Sequence, residues 1–163
     1  MQLREFLTTD ADAIATHANN PQVAKYLREI FPSPYALDDA QWWVNEGCKF
    51  DGTCNRAIVI NDQCIGTIGA TFGKAEHQFT AEIGYWIGQD YWGRGIVSKA
   101  VKMFTRFLFS SYDLKRVFAP VAHENVASIA VLRKCGFVCE GVFHNNMYLR
   151  GEFYDEHVYA IYP

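Results

Sequence analysis

The stretch Gly84-Tyr85-Trp86-Ile87-Gly88-Gln89-Asp90-Tyr91-Trp92-Gly93-Arg94-Gly95-Ile96-Val97-Ser98 passes from an alternating apolar run, through a Gly-x-Gly turn, into an amphipathic segment. Gly93 and Gly95 allow positive φ and a close approach of ligand to backbone, and a helix starting there leaves about four amides unpaired. The helix dipole draws negative charge to the same end, so the arrangement suits the pyrophosphate of a nucleotide or coenzyme. A lone Gly-x-Gly serves equally well as a tight loop and helix cap. The strand before it and the helix after it favour the anion site.

On the N-terminal side of this turn, Phe79 to Ile87 reads as a strand. Glu82, Gly84 and Trp86 share one face, with Ala81, Ile83, Tyr85 and Ile87 on the other. Arg56 to Ile60 and Cys64 to Phe72 are β-branched runs joined by Asn61-Asp62-Gln63, a hairpin signal. On the C-terminal side, Gly95 to Tyr112 is helical. Val97, Val101, Phe104 and Leu108 form its apolar stripe, opposite Lys99, Lys102 and Arg106. Arg116 to Val121 is a strand, Asn125 caps a helix from Val126 to Cys135, Gly136 ends it, and Val138 to Phe143 and His157 to Tyr162 are further strands.

The first fifty residues are chiefly helical. Gln2 to Leu7 is a short strand, Thr9 to Asp12 caps a helix from Ala13 to Asn19, and Gln22 to Glu29 forms a second. Asp38 caps a third helix running toward Lys49. Between them Phe31-Pro32-Ser33-Pro34-Tyr35 is a rigid aromatic loop with the composition of a cover rather than a linker. Helices, a three-strand meander, then helix, strand, helix and two strands give an α+β (mixed α/β) fold.

The chain has 163 residues, half of them hydrophobic, so residues 1–163 are expected to form one domain around its own core. Fifteen Lys and Arg against 18 Asp and Glu leave a net charge of −3 with no basic run, which argues against direct nucleic-acid or membrane-surface binding. No stretch approaches the about 18 apolar residues of a membrane span, and no signal-peptide core opens the chain, so a cytoplasmic location is expected. Cys48, Cys54, Cys64, Cys135 and Cys139 lack Cys-x-x-Cys spacing and read as reduced thiols with packing roles; Cys135 and Cys139 are expected buried or half-buried. The histidines show no metal-ligand spacing, and no metal is expected.

Four patterns carry a resemblance over essentially the whole chain: Glu82-Ile83-Gly84-Tyr85-Trp86-Ile87, Tyr91-Trp92-Gly93-Arg94-Gly95-Ile96, Asn125-x-x-Ser128, and Leu132-Arg133-Lys134-Cys135-Gly136-Phe137. Together they resemble the GNAT superfamily of N-acetyltransferases. Asn20-Pro21, Phe31 to Tyr35 and Arg150-Gly151-Glu152-Phe153-Tyr154-Asp155 are similar to its RimJ/RimL-like branch, which acetylates ribosomal-protein N-termini. The resemblance implies a mostly antiparallel sheet splayed between its fourth and fifth strands, with acetyl-CoA as co-substrate. Trp92, Gly93, Arg94, Gly95, Ile96 and Val97 would line the pyrophosphate, and the strand around Tyr85, Trp86 and Ile87 would accept the pantetheine arm. Asn125 and Ser128 would also meet the coenzyme. The glutamine or arginine that heads the family's turn falls on Asp90, with Gln89 one place earlier.

Acetyl transfer requires a neutral amine, a polarised carbonyl and a stabilised thiolate. An α-amine, with pKa about 7.7–8.0, loses its proton to a weaker base than a lysine-like amine at about 10.4. Glu82 is the carboxylate candidate, directly or through water, and a salt-bridged structural glutamate is the alternative reading. The tyrosine that many family members use as acid falls on Leu132, so the role passes to Ser128 or is absent. A serine here also suits helix capping, as does Asn125. Family comparison places Tyr26, Arg28, Phe31 and Tyr35 on the acceptor side. The acceptor expected first is a protein or peptide N-terminal α-amine. A small amine such as a polyamine, amino sugar or amino acid is the alternative, for which Glu29, Asp38, Asp39 and Glu46 would supply acidic groups. A non-catalytic acyl-CoA sensor is a third reading. Phe143, Met147, Tyr148 and Phe153 suit either a homodimer contact or the closure of an acceptor groove.

Overall fold

The computed structural model describes residues 1–163. Seven strands form one sheet in the order β1-β2-β3-β4-β5-β7-β6. They are β1 (Gln2–Arg4), β2 (Thr53–Ile60), β3 (Gln63–Phe72), β4 (Thr80–Ile87), β5 (Arg116–Ala122), β6 (Val138–Leu149) and β7 (Glu152–Ile161). Every pairing is antiparallel except β4 with β5. The helices are α1 (Ala11–Ala18), α2 (Pro21–Ala24), α3 (Leu37–Asn45), α4 (Ile96–Ser111) and α5 (Val126–Lys134).

The parallel pair is the feature that positions the site. β4 and β5 are in register only at Thr80–Arg116, Ala81–Val117 and Glu82–Phe118. Beyond Glu82 the strands part, and one edge of β4 from Ile83 to Ile87 has no strand beside it. β3 still holds its other edge through Gly66–Ile87, Ile68–Tyr85 and neighbouring pairs.

Strand alternation sends side chains to two cores. On one face Ile68, Ile83 and Val117 meet Val101, Phe104 and Leu108 of α4, all at most 3% exposed. Full burial of each large side chain contributes about 1.5–3 kcal/mol, which makes this helix-on-sheet layer the main source of cohesion. On the opposite face Ala57, Val59 and Cys64 meet Ile14, Ala40 and Val44 of α1 and α3. Ile58 and Val59 fall on different faces, as period-two geometry requires.

Several local expectations are corrected. Asp10 does not cap α1 through its side chain. Its carboxylate, 5% exposed, takes two bonds from Arg4 at 2.7 and 2.8 Å and one from the Leu7 amide at 2.8 Å. Ala36, not Asp38, occupies the position before α3, and Asp39 reaches back to the Ala36 amide at 2.8 Å. The helix expected over Gln22 to Glu29 stops at Ala24. The final hairpin is longer than its apolar runs suggested. A register shift between Phe143 and Met147 accommodates Asn145, at φ 51°, whose amide donates to Asp155. Cys139 is exposed; Cys48 and Cys135 are half-buried, Cys54 and Cys64 buried, and all five are free thiols.

Candidate active site

A cleft of about 520 Å³ opens where β4 and β5 diverge. Its walls are Tyr85, Trp86 and Ile87 from β4, Tyr91 to Gly93 and Gly95 to Ser98 from the turn and first residues of α4, Asn125 to Ser128 from α5, and Val23 and Tyr26 from α2 and the loop after it. Ile87, Gly93, Tyr85 and Ser128 are therefore brought together from three separate elements.

The turn has the predicted form. Gly93 and Gly95 sit at φ 73° and 72°, and a Cβ at either would meet no atom within 4 Å. Open space where side chains would stand leaves the backbone accessible. The first backbone bond of α4 runs from the Lys99 amide to the Gly95 carbonyl at 3.1 Å, and the amides from Gly93 to Ser98 donate to no protein carbonyl. This row of free donors, at the positive end of a 16-residue helix, matches the chemistry of a pyrophosphate. Trp92 anchors the turn by donating from Nε1 to the Ile87 carbonyl at 2.9 Å. Gln89 accepts from Asn20 Nδ2 at 2.7 Å, while the Arg94 guanidinium lies over Tyr91, exposed and outside the lining.

At the other end of the cleft, Asn125 Oδ1 accepts from the Ser128 amide at 3.2 Å. Asn125 therefore performs the cap and leaves the Ser128 hydroxyl free of that duty. The hydroxyl meets the Tyr85 phenol instead, 2.9 Å away. Burial pushes the Tyr85 phenol well above its ordinary value, against the opposing pull of the Ser128 hydrogen bond. This pairing of residues 43 positions apart was not legible in the sequence.

Glu82 lies on the face of β4 opposite Tyr85, paired with Arg28. The arginine side chain is 67% exposed and the glutamate 26%. Such an exposed pair contributes on the order of 1 kcal/mol or less, so an incoming group can displace it at small cost. Arg28 belongs to a loop tied to the final hairpin: Arg150 donates to the Phe31 carbonyl at 2.8 Å and its amide to Glu29.

The expected acceptor residues divide. Tyr26 lines the cleft and packs edge-on against Tyr154 at 5.9 Å. Phe31 covers Trp86 at 5.9 Å, near Glu82's face of the strand. Tyr35 is a core residue, 7% exposed among α1 and α3, where burial raises its phenol to about 12. Leu132 is fully buried in the core and does not line the cleft. Gln22, Val23, Lys25 and Lys134 line it without having been singled out; only the Asn20-Pro21 helix start hinted that α2 would lie there. Of the final hairpin, Phe143, Tyr148 and Phe153 are exposed, and neither they nor Met147 lines the cleft. No cluster of His, Cys, Asp or Glu has metal-holding geometry, and no helix is long and apolar enough to cross a membrane.

The Acetyltransferase (GNAT) domain family matches residues 1–138. The chain belongs to the GNAT acetyltransferase family. An uncharacterized N-acetyltransferase, p20, of Bacillus licheniformis is 30% identical over 165 residues, covering 99% of this chain and 92% of that protein. The ribosomal-protein-serine acetyltransferase of Escherichia coli is 32% identical over 104 residues, 63% of this chain and 57% of that one. Among solved structures, the ribosomal L7/L12 α-N-protein acetyltransferase RimL in complex with coenzyme A superposes with a TM-score of 0.86 at 20% identity, covering 98% and 92% of the two chains. The spermidine N-acetyltransferase of Vibrio cholerae, in complex with coenzyme A and spermine, gives 0.81 at 21%, covering 99% and 94%. This GNAT domain is thus an N-acetyltransferase, and the sensor reading is set aside by the family and its relatives. The expected splayed, mostly antiparallel sheet is the one observed.

Proposed function

We propose that this GNAT enzyme transfers acetyl from acetyl-CoA to the N-terminal α-amine of a protein or peptide. The observation that carries the reading is the cleft itself, with free amides at one end and paired hydroxyls at the other; Glu82 stands outside its lining, on the opposite face of β4. The two solved relatives named above were captured with coenzyme A, which supports the same use of the cleft here. The amides from Gly93 to Val97 would take the pyrophosphate, and the open edge of β4 at Tyr85 to Ile87 would pair with the amide-bearing arm. Trp92 and Asn125 would flank it. Arg94 would reach the phosphates only by leaving Tyr91.

Glu82 receives the amine's proton, directly or through water, once Arg28 gives it up. The neutral nitrogen then bonds to the acetyl carbon and releases its second proton to solvent as the carbon–sulfur bond breaks, and the electron pair of that bond leaves on sulfur. Ser128 faces that sulfur with a hydroxyl not spent on capping. Tyr26, Arg28 and Phe31 form the acceptor side, and an α-amine suits a carboxylate base because its pKa is only about 7.7–8.0.

Charge favours the peptide over a polyamine. A polycation calls for gathered carboxylates, yet Asp39 caps α3, Glu29 is bound by Arg150, and none of Glu29, Asp38, Asp39 and Glu46 lines the cleft. Glu124 is the single carboxylate in the lining, against Lys25 and Lys134, and Arg28 pairs with Glu82 outside it. The name of the E. coli relative agrees with this choice, while that of the V. cholerae neighbour represents the small-amine alternative. Exposed Tyr148 and Phe153, with ring centroids 4.9 Å apart, offer an apolar pair for a second copy of the chain. Thiol release from acetyl-CoA with N-terminal peptides, spermidine, amino sugars and amino acids tests the reading. Faster turnover of peptides is expected, and exclusive turnover of spermidine would overturn the acceptor assignment.

A further inference from the structure

We propose that Tyr85 is a positioning residue for the transfer step: its phenol holds the Ser128 hydroxyl in the orientation that directs the serine proton toward the departing sulfur. This rests on the placement of Ser128 beside that sulfur. A serine hydroxyl carries one proton and rotates to suit its surroundings, so an unrestrained Ser128 would spend part of its time bonded elsewhere. The 2.9 Å contact with Tyr85 is its only side-chain hydrogen bond. One proton of the pair lies in the shared bond, and the other is free for the cleft that both residues line.

The donor is assigned from the chemistry of the two hydroxyls. The Tyr85 ring packs against the core that Val101 and Leu132 build, and its hydroxyl has no other protein partner. Both hydroxyls are protonated, and the phenol, the stronger acid of the two, is the better donor; with its proton given to Ser128 Oγ, the serine O–H is left to bond to the sulfur as negative charge develops there. Ser128 remains protonated throughout; the thiolate collects its proton later from solvent. The role given by resemblance to a single residue at 132 is here divided between β4 and α5, with Leu132 released to the core.

Tyr85→Phe, Ser128→Ala and the double variant test this, with melting curves to establish folding. Acetyl-CoA hydrolysis without acceptor, which expels the same thiolate, serves as a readout independent of acceptor identity. Loss of one orienting hydrogen bond is expected to lower kcat roughly fivefold to tenfold in Tyr85→Phe, with the KM for acetyl-CoA within about twofold. In the Ser128→Ala background the tyrosine substitution is expected to have no further effect. A full loss repeated in that background would show that Tyr85 acts without Ser128 and overturn the inference, as would wild-type kcat in Tyr85→Phe. Wild-type activity in Ser128→Ala alone would instead overturn the placement of Ser128 on which the inference rests.

Discussion

Replacing Gly95 by alanine separates the stability of the coenzyme turn from its proposed function. At φ 72° a Cβ is strained, which costs about 1–2 kcal/mol, but with no atom within 4 Å it clashes with nothing. For a domain of this size that corresponds to a fall in melting temperature of roughly 2–8 °C. The added methyl stands beside the free amides, where a phosphate would approach. Losing one or two charge-assisted hydrogen bonds, at about 1.5–3 kcal/mol each, predicts at least a tenfold weaker acetyl-CoA complex. Gly52 supplies the control, since it has φ 78° and the same open surroundings but lies outside the cleft. Gly52→Ala is expected to lose similar stability with unchanged affinity. Differential scanning calorimetry and isothermal titration with acetyl-CoA read the two quantities. Wild-type affinity in Gly95→Ala, or equal loss of affinity in both variants, would refute the reasoning.

Glu82→Gln is expected to lower kcat about 100-fold or more while leaving coenzyme affinity intact; a loss under threefold would remove Glu82 as base. Arg4→Met strands the buried Asp10 carboxylate and should cost about 2 kcal/mol in urea unfolding. Burial alone would raise the Asp10 carboxyl, but the Arg4 hydrogen bonds and the Leu7 amide hold it below its ordinary value. Its contribution is therefore present above the unfolded value of about 3.9 and is lost as pH falls through the folded one. The stability gap between wild type and Arg4→Met should close below about pH 4, and a constant gap would contradict the ion pair's role. Gly66→Ala would place a Cβ 2.2 Å from the Trp86 carbonyl, a backbone atom that cannot swing aside. Destabilisation of about 3 kcal/mol or more is expected by circular dichroism, and a melting temperature near wild type would show that β3 and β4 shift apart easily.

Periodic segments were legible because one physical requirement dictated each residue. The α4 stripe of Val101, Phe104 and Leu108 and the alternation along β4 both follow from burying one face, and the structure buries those faces. The Gly93–Gly95 turn was visible for the same reason, since positive φ at two nearby positions leaves glycine as the easy choice. Local capping was less legible. Asp10 and Asp38 have the right chemistry for caps, yet a distant arginine claimed one and Asp39 displaced the other. The helix expected from Gln22 stopped short because Tyr26 packs on Tyr154 and Arg28 reaches Glu82, partners more than fifty residues away. Tyr35 looked like part of a surface cover beside its prolines, but its ring is taken up by the core of α1 and α3. The Tyr85–Ser128 pair left no trace in either segment alone. It exists only because β4 and α5 converge at the mouth of the opened sheet.

That opening divides the molecule mechanically. Three register positions at one end of β4 and β5 are the whole of the strand pairing between the half-sheet β1–β4 and the half-sheet β5–β7–β6, which otherwise meet through side chains and the α4 layer. A long polar ligand lying along the free edge of β4 and touching α5 would act as a staple across the seam. Because ligand that favours the folded state adds stability as its concentration exceeds its Kd, about 2.7 kcal/mol at a hundredfold excess, the intactness of this fold would track the supply of its own substrate.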